Sequence, residues 1–443
     1  MPRYKRVGNR WWQLAAWMGA MTAIASVQYT WTLFTIPLAK ALDARLSEVQ
    51  VAFSLFVLAQ SWLVPFEGYL VDRLGARLIV SVGGLLVGLS WVGSGLADSL
   101  SALYVCYILG GIGVGTVYGA CVGAALKWFP DKRGLAAGLV VGAYGSGAAL
   151  TVIPIQRLIQ QRGYQVAFIT WGIVQGIVVM ALAWFMAAPP RRWHLRRLEG
   201  AAGDQPLLPQ SAVGYTPLQM VRTGAFSLMY LMSTLVTFGG LLVTSQLKPI
   251  AAAYGLDTTV VAFGISALVL ALMFTLVLGG LARPFWGWVS DHIGRYNMMA
   301  FAFGLGAVSI FGLLELPRNP VWFVILSGMT VFAWGATFVL FSAAVGDLFG
   351  SRFATTNNGI LYTSKGVASI FAGWGAARLV EAMGSWNPVL WVAAAGNLVA
   401  ALLAIFCLKP MAARVMAGPD AHSSSGSTSN TRTSNPGRTA RGI

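Results

Sequence analysis

Residues 279–295 read GGLARPFWGWVSDHIGR, and most of this stretch has a counterpart about half a chain earlier. Pro284-Phe285-Trp286-Gly287-Trp288-Val289-Ser290-Asp291-His292-Ile293-Gly294 aligns with Pro65-Phe66-Glu67-Gly68-Tyr69-Leu70-Val71-Asp72-Arg73-Leu74-Gly75 at an offset of 219, with five identities in eleven positions. At nearly the same offset, WFPDKRGLAAG from Trp128 pairs with LFGSRFATTNNG from Leu348. A repeat of this period means a chain made of two like halves.

Around these motifs the sequence is strongly apolar. Hydrophobic residues make up 57% of the 443, charged residues 10%, and mean hydropathy is +0.69; a soluble domain has about 25% charged residues. Runs able to cross a hydrocarbon layer of ~30 Å fall at 12–38, 50–71, 77–97, 101–126, 134–156, 166–188, 226–250, 258–290, 297–316, 320–346, 357–381 and 387–408. The expected fold is an all-α membrane protein with twelve transmembrane helices in two pseudo-symmetric six-helix bundles, 12–188 and 226–408. A leader at 1–11, a central loop at 189–225 and a tail at 409–443 flank them. The first run is long for a removable signal and reads as the first helix. Beyond 417 the tail is rich in Ser, Thr, Asn and Gly and reads as disordered.

The net charge of +16 could suggest nucleic acid, but its placement argues otherwise. With the N-terminus inside, 21 Lys and Arg fall on the cytoplasmic side and seven opposite, leaving Arg283 and Lys365 of the total of 30. That bias places both termini in the cytoplasm. No nucleic-acid partner is expected, and the basic central loop is expected to meet membrane lipid. Cys106, Cys121 and Cys407 lie in apolar runs without ligand spacing, so neither disulfide nor metal nor cofactor is expected. GGIGVG at 110–115 sits inside a membrane helix with no strand before it, which suits close helix packing better than a dinucleotide.

Arg283 and Lys365 stand inside apolar runs, where a lone cation costs about 3 kcal/mol or more and is kept for work. The repeat pairs them with Val64 and Tyr144, so both belong to the second half alone. At 1.5 Å per residue, each lies ~12 Å from its cytoplasmic helix end. Two cations at one depth, facing Gln and Tyr of the other half, suit a small anion with two negative charges: the guanidinium forks onto one carboxylate and the ammonium serves a second. No nucleophile, base or metal cluster shares that depth, so no enzyme is expected.

VQYTWTL, GVGTVYGA, WFPDKRGLAAG, RPFWGWVSDHIGRY and SKGVASIFAG resemble the oxalate/formate antiporter family of the major facilitator superfamily, across all twelve runs. The resemblance implies a bacterial inner-membrane carrier, working as a monomer, that exchanges oxalate for formate. It implies that Arg283 and Lys365 bind the dicarboxylate and that Gln28, Tyr29, Tyr118, Tyr144 and Trp334 line the cavity, with Phe338 and Tyr362 where the family has tyrosine and tryptophan. Asp72, Arg73, Asp291 and Arg295 match its gating loops. The alternative is a proton-coupled carrier of the lactate or pyruvate type. Such carriers generally need a titratable acid beside the arginine, and one turn before Arg283 stands Gly279; His194, His292 and His422 all lie outside the spans.

Overall fold

Thr30 divides the first apolar run in two. A computed structural model, which describes residues 10–64, 74–129, 133–187, 214–262, 264–316, 318–350 and 353–417, has α1 at Arg10–Tyr29 and α2 at Trp31–Ala41. The Thr30 hydroxyl donates to the Ser26 carbonyl (2.7 Å), a back-bond that bends a helix. The first half continues with α3 (Leu46–Trp62), α4 (Ala76–Leu96), α5 (Leu100–Trp128), α6 (Arg133–Gly147), α7 (Val152–Arg162) and α8 (Tyr164–Phe185).

A short helix, α9 (Pro217–Val221), leads into α10 (Gly224–Ala253). Then come α11 (Ala267–Ile293), α12 (Arg295–Glu315), α13 (Pro320–Phe349), α14 (Ala354–Tyr362), α15 (Ser364–Ile370), α16 (Ala376–Met383), α17 (Asn387–Leu403) and α18 (Lys409–Ala417). Among the described residues nine helical stretches are individually long and apolar enough to span a membrane. Three further helical stretches among the described residues, at 10–41, 46–62 and 354–383, are short or interrupted, which is consistent with twelve passes.

Two expectations need correction. The run at 258–290 is not helical from its start: β1 (Val260–Ala262) and β2 (Ile265–Ser266) form a small antiparallel hairpin. Thr258, Thr259, Val260 and Val261 are β-branched and favour extended backbone, and Gly264 takes φ +69, which suits a tight turn. The run at 320–346 stops short of the helix it marks, and the next residue, Asp347, is buried within α13. The leader to residue 9, most of the central loop, and the tail beyond 417 lie outside the described residues.

The glycines of 110–115 bring backbones together. A Cβ on Gly113 would lie 2.8 Å from the Gly83 carbonyl, so α4 and α5 touch along their main chains, as small residues permit in lipid. Outward-facing side chains are apolar: Val308, Phe301 and Phe406 are each more than 60% exposed, as a lipid-facing surface requires.

The face where Arg10 and residue 417 lie is the terminal face, and the other the distal face. On the distal side the halves are bolted together. Trp31 Nε1 donates to Gln50 Oε1 (3.0 Å), Gln50 Nε2 to Gln246 Oε1 (2.8 Å), and Gln246 Nε2 to the Gly373 carbonyl (2.9 Å). Gly373 belongs to a π-helical turn, Phe371–Gly375, whose extra residue alters the carbonyl pattern. Ser54 and Ser369 exchange two further bonds, each hydroxyl donating to the other's carbonyl at 2.8 and 3.2 Å.

Candidate functional site

The pass that carries Lys365 breaks at Thr363, between α14 and α15. The Thr363 hydroxyl donates to the Ile360 carbonyl (2.7 Å) and bonds the Tyr230 hydroxyl (3.1 Å), while Ser364 bonds Ser233 (2.7 Å). The break is thereby fastened to α10. Gly366 lets α15 press against Ser61 and Trp62 of α3, and Lys365 reaches into the first half. Its ammonium donates to Oε1 of Gln60 (2.8 Å), Oε1 of Gln28 (3.2 Å) and the Tyr362 hydroxyl (3.4 Å).

Those acceptors are themselves joined. Tyr144 donates to Gln28 Oε1 (2.8 Å), and Gln60 Nε2 donates to the Tyr144 hydroxyl (2.9 Å). A lysine 3% exposed is thus solvated by amides and hydroxyls, and among the described residues no carboxylate is hydrogen-bonded to it.

Arg283, 5% exposed, is placed by a different device. Gly279 and Gly280 of α11 meet Gly142, Gly145 and Ser146 of α6, and this close approach across the seam brings the guanidinium to the Val141 carbonyl, to which it donates. Its carbon sits 4.9 Å from the centre of the Phe338 ring, a cation–π distance. Tyr29 lies beside it, and Arg283 and Lys365 lie in one another's field.

Aromatic rings close the cluster. Tyr144 packs on Tyr29 and on Tyr118 (5.4 Å each), Tyr118 stacks on Tyr362 (6.4 Å), and Phe338 contacts both Tyr362 (6.0 Å) and Trp334 (5.2 Å). The nine residues expected around the substrate form one connected group. Three buried donors in it have no acceptor among the described residues: Gln28 Nε2, Arg283 Nε and Trp334 Nε1. A buried donor left unpaired costs about 1–3 kcal/mol, so the group suits a ligand that only accepts, such as a carboxylate.

Gln60 is absent from the expected set, although it binds both Lys365 and Tyr144. A glutamine midway along the apolar run at 50–71 is its signal. Trp31, by contrast, is a distal packing residue, between Phe53 and Tyr107. Asp291 is near the end of α11 and Arg295 begins α12, both toward the terminal face. Arg295 donates to Asp291 (2.6 Å), to Ser290 (2.9 Å) and to Asp347 of α13 (3.1 Å). Asp72 and Arg73 fall outside the described residues.

Comparison with known proteins agrees with this architecture. The family model described as Major Facilitator Superfamily matches residues 16–283 and 251–431. The "Oxalate:formate antiporter" of Oxalobacter formigenes is 34% identical over 407 residues, covering 91% of this chain and 93% of that protein. "Monocarboxylate transporter 11" of Homo sapiens is 26% identical over 354 residues, 78% of this chain and 68% of that one. The crystal structure of a mutant of the nucleoside transporter NupG superposes with TM-score 0.67 at 12% identity, covering 90% of this chain and 99% of its own, which bears on fold alone. Similarity of this extent along both halves makes the chain a membrane transporter of the Major Facilitator Superfamily, within its oxalate/formate antiporter family.

Proposed function

We propose that the protein is a secondary carrier that exchanges small carboxylates, oxalate for formate, across a bacterial inner membrane by alternating access, with the terminal face cytoplasmic and a single chain holding the whole path. The observation that carries this reading is the convergence of Arg283, Lys365 and three unpaired buried donors in a group without an acid. A dianion neutralises both cations and a monoanion one of them. Rocking of the halves with the pair uncompensated would move two bare charges through a closed state of low dielectric, so exchange is favoured over uniport. Oxalate inward for formate outward then moves net negative charge inward.

The distal seam is closed in this structure, and Arg283 and Lys365 are buried. Opening the distal side has to break the Gln50–Gln246 amide bond and the Ser54–Ser369 pair.

The similarity to a monocarboxylate transporter favours one competing reading, proton-coupled symport of a monocarboxylate. Against it, Gly279 presents no acid beside Arg283. Uptake of labelled oxalate into proteoliposomes preloaded with oxalate, formate or buffer separates the two readings. Uptake dependent on internal carboxylate, and lost in Arg283→Gln and Lys365→Gln, is the expected result. Uptake into empty vesicles driven by an inward proton gradient would replace exchange with symport.

A further inference from the structure

Arg283 and Lys365 are not equivalent hosts for an anion. An ammonium has three hydrogens to give, and Lys365 has given all three: to Gln60 (2.8 Å), to Gln28 (3.2 Å) and to the Tyr362 hydroxyl (3.4 Å). Gln28 and Gln60 belong to the first half, and Tyr144 braces both, donating to Gln28 Oε1 and accepting from Gln60 Nε2. Tyr362 stands one turn before Lys365 on the same pass and makes the longest of the three bonds.

The Arg283 guanidinium has five N–H donors in a planar fork. Its Nη1 donates to the Val141 carbonyl, on the edge where a Cβ at Gly145 would come within 3.1 Å. Phe338 covers one face, and Tyr29 lies beside the group. Nε is buried and has no acceptor among the described residues. A carboxylate that binds there takes up an idle donor and displaces nothing. One that binds Lys365 has to evict an acceptor first, and the longest bond, to Tyr362, yields at least cost.

We infer that the two cations divide the work: Arg283 seats any single carboxylate, and Lys365, its hydrogens already held, engages only the second carboxylate of a dianion, which takes the place of Tyr362. The inference rests on the carboxylate-exchange reading and adds to it which cation each cargo needs. Formate on Arg283 leaves the ring of Lys365, Gln28, Tyr144 and Gln60 unbroken. Oxalate spans both cations, and its second carboxylate offers the ammonium a charged acceptor, which makes a shorter and stronger bond than a hydroxyl does. Tyr362, released as an acceptor, turns its hydroxyl to donate to the same carboxylate. Lys365 is then the residue that tells two carboxylates from one, and Arg283 the residue common to both cargoes.

Thermal protection of the purified protein, titrated separately with sodium formate and sodium oxalate, tests this. In Lys365→Gln formate should still protect, weakened by no more than about tenfold, the scale of a charge lost at a distance. Oxalate should be weakened there by roughly 30-fold or more, as for a truncated contact. In Arg283→Gln formate itself should be weakened by roughly 30-fold or more, so that Lys365→Gln holds formate the more tightly of the two. A cooperative unfolding transition without ligand shows that each variant is folded. Lys365→Met and Arg283→Met, which drop the charge without adding an amide, must give the same order. Formate weakened equally by the two substitutions, or more by the one at Lys365, would overturn the division. Protection of the wild type by neither anion would refute the carboxylate reading itself, a separate outcome.

Discussion

The Lys365 ammonium lies 3.2 Å from Oε1 of Gln28, and this bond crosses from the second half to the first. Tyr144 donates to the same oxygen at 2.8 Å. A shift of the halves that moves Lys365 therefore disturbs Gln28, Tyr144 and Gln60 together, and the charge centre is mechanically tied to the seam.

Removing one cation should weaken binding of a dianion while leaving the fold. Truncating one partner of a buried, hydrogen-bonded charge pair costs about 2–5 kcal/mol. Lys365→Gln and Arg283→Gln should each weaken oxalate binding by roughly 30-fold or more. Ligand-dependent thermal protection of the purified protein measures this without transport.

Gln60→Leu should weaken oxalate by roughly 30-fold, since it removes an acceptor from Lys365 and a donor from Tyr144, each worth about 1 kcal/mol. Gln60→Glu should do worse, because a carboxylate 2.8 Å from the ammonium would take the place of substrate. Isothermal titration with oxalate on the two variants orders them; a tighter Gln60→Glu would contradict the assignment of Lys365 to substrate.

Gly240→Ala places a methyl inside the Trp334 indole. Overpacking of this kind costs about 1–3 kcal/mol, so the unfolding midpoint should fall by several degrees and oxalate protection should fall with it. Gly346→Ala, with open space at its Cβ, is the matched control and should change neither.

Asp347→Asn should slow turnover with little change in KM. Asp347 holds Arg295 at the end of α13 (3.1 Å), and its side chain is 10% exposed against 38% for Asp291. Surface pairs contribute about 0–1 kcal/mol, so Asp291→Asn should be the milder change. Exchange rates at saturating and limiting substrate separate turnover from affinity.

Arg283 and Lys365 were legible because a charge in hydrocarbon has few uses, and the helical rise put them at one depth. Twelve passes were legible from hydropathy for the same reason. Gln60 was not, because glutamine is tolerated both in packing and in sites, and what matters is whether its amide meets Lys365. Asp347 lay one residue past an apolar run, where sequence does not distinguish a buried helix end from a solvated one. The breaks at Thr30 and Thr363 depend on back-bonds that many threonines make without bending a helix, and the π-turn at Phe371–Gly375 has no local composition of its own.

Those two breaks have a consequence for how cargo is sensed. Thr30 follows Gln28 and Tyr29 directly; Thr363 falls between Tyr362 and Lys365. In each half, residues proposed to meet the anion adjoin a bend, rather than standing midway along a rigid rod. A few tenths of an ångström of adjustment at the ligand becomes an angular change at the joint and a larger sweep at the helix ends. Two bends, one per half, would let a bound anion of a few atoms report its presence to surfaces far larger than itself.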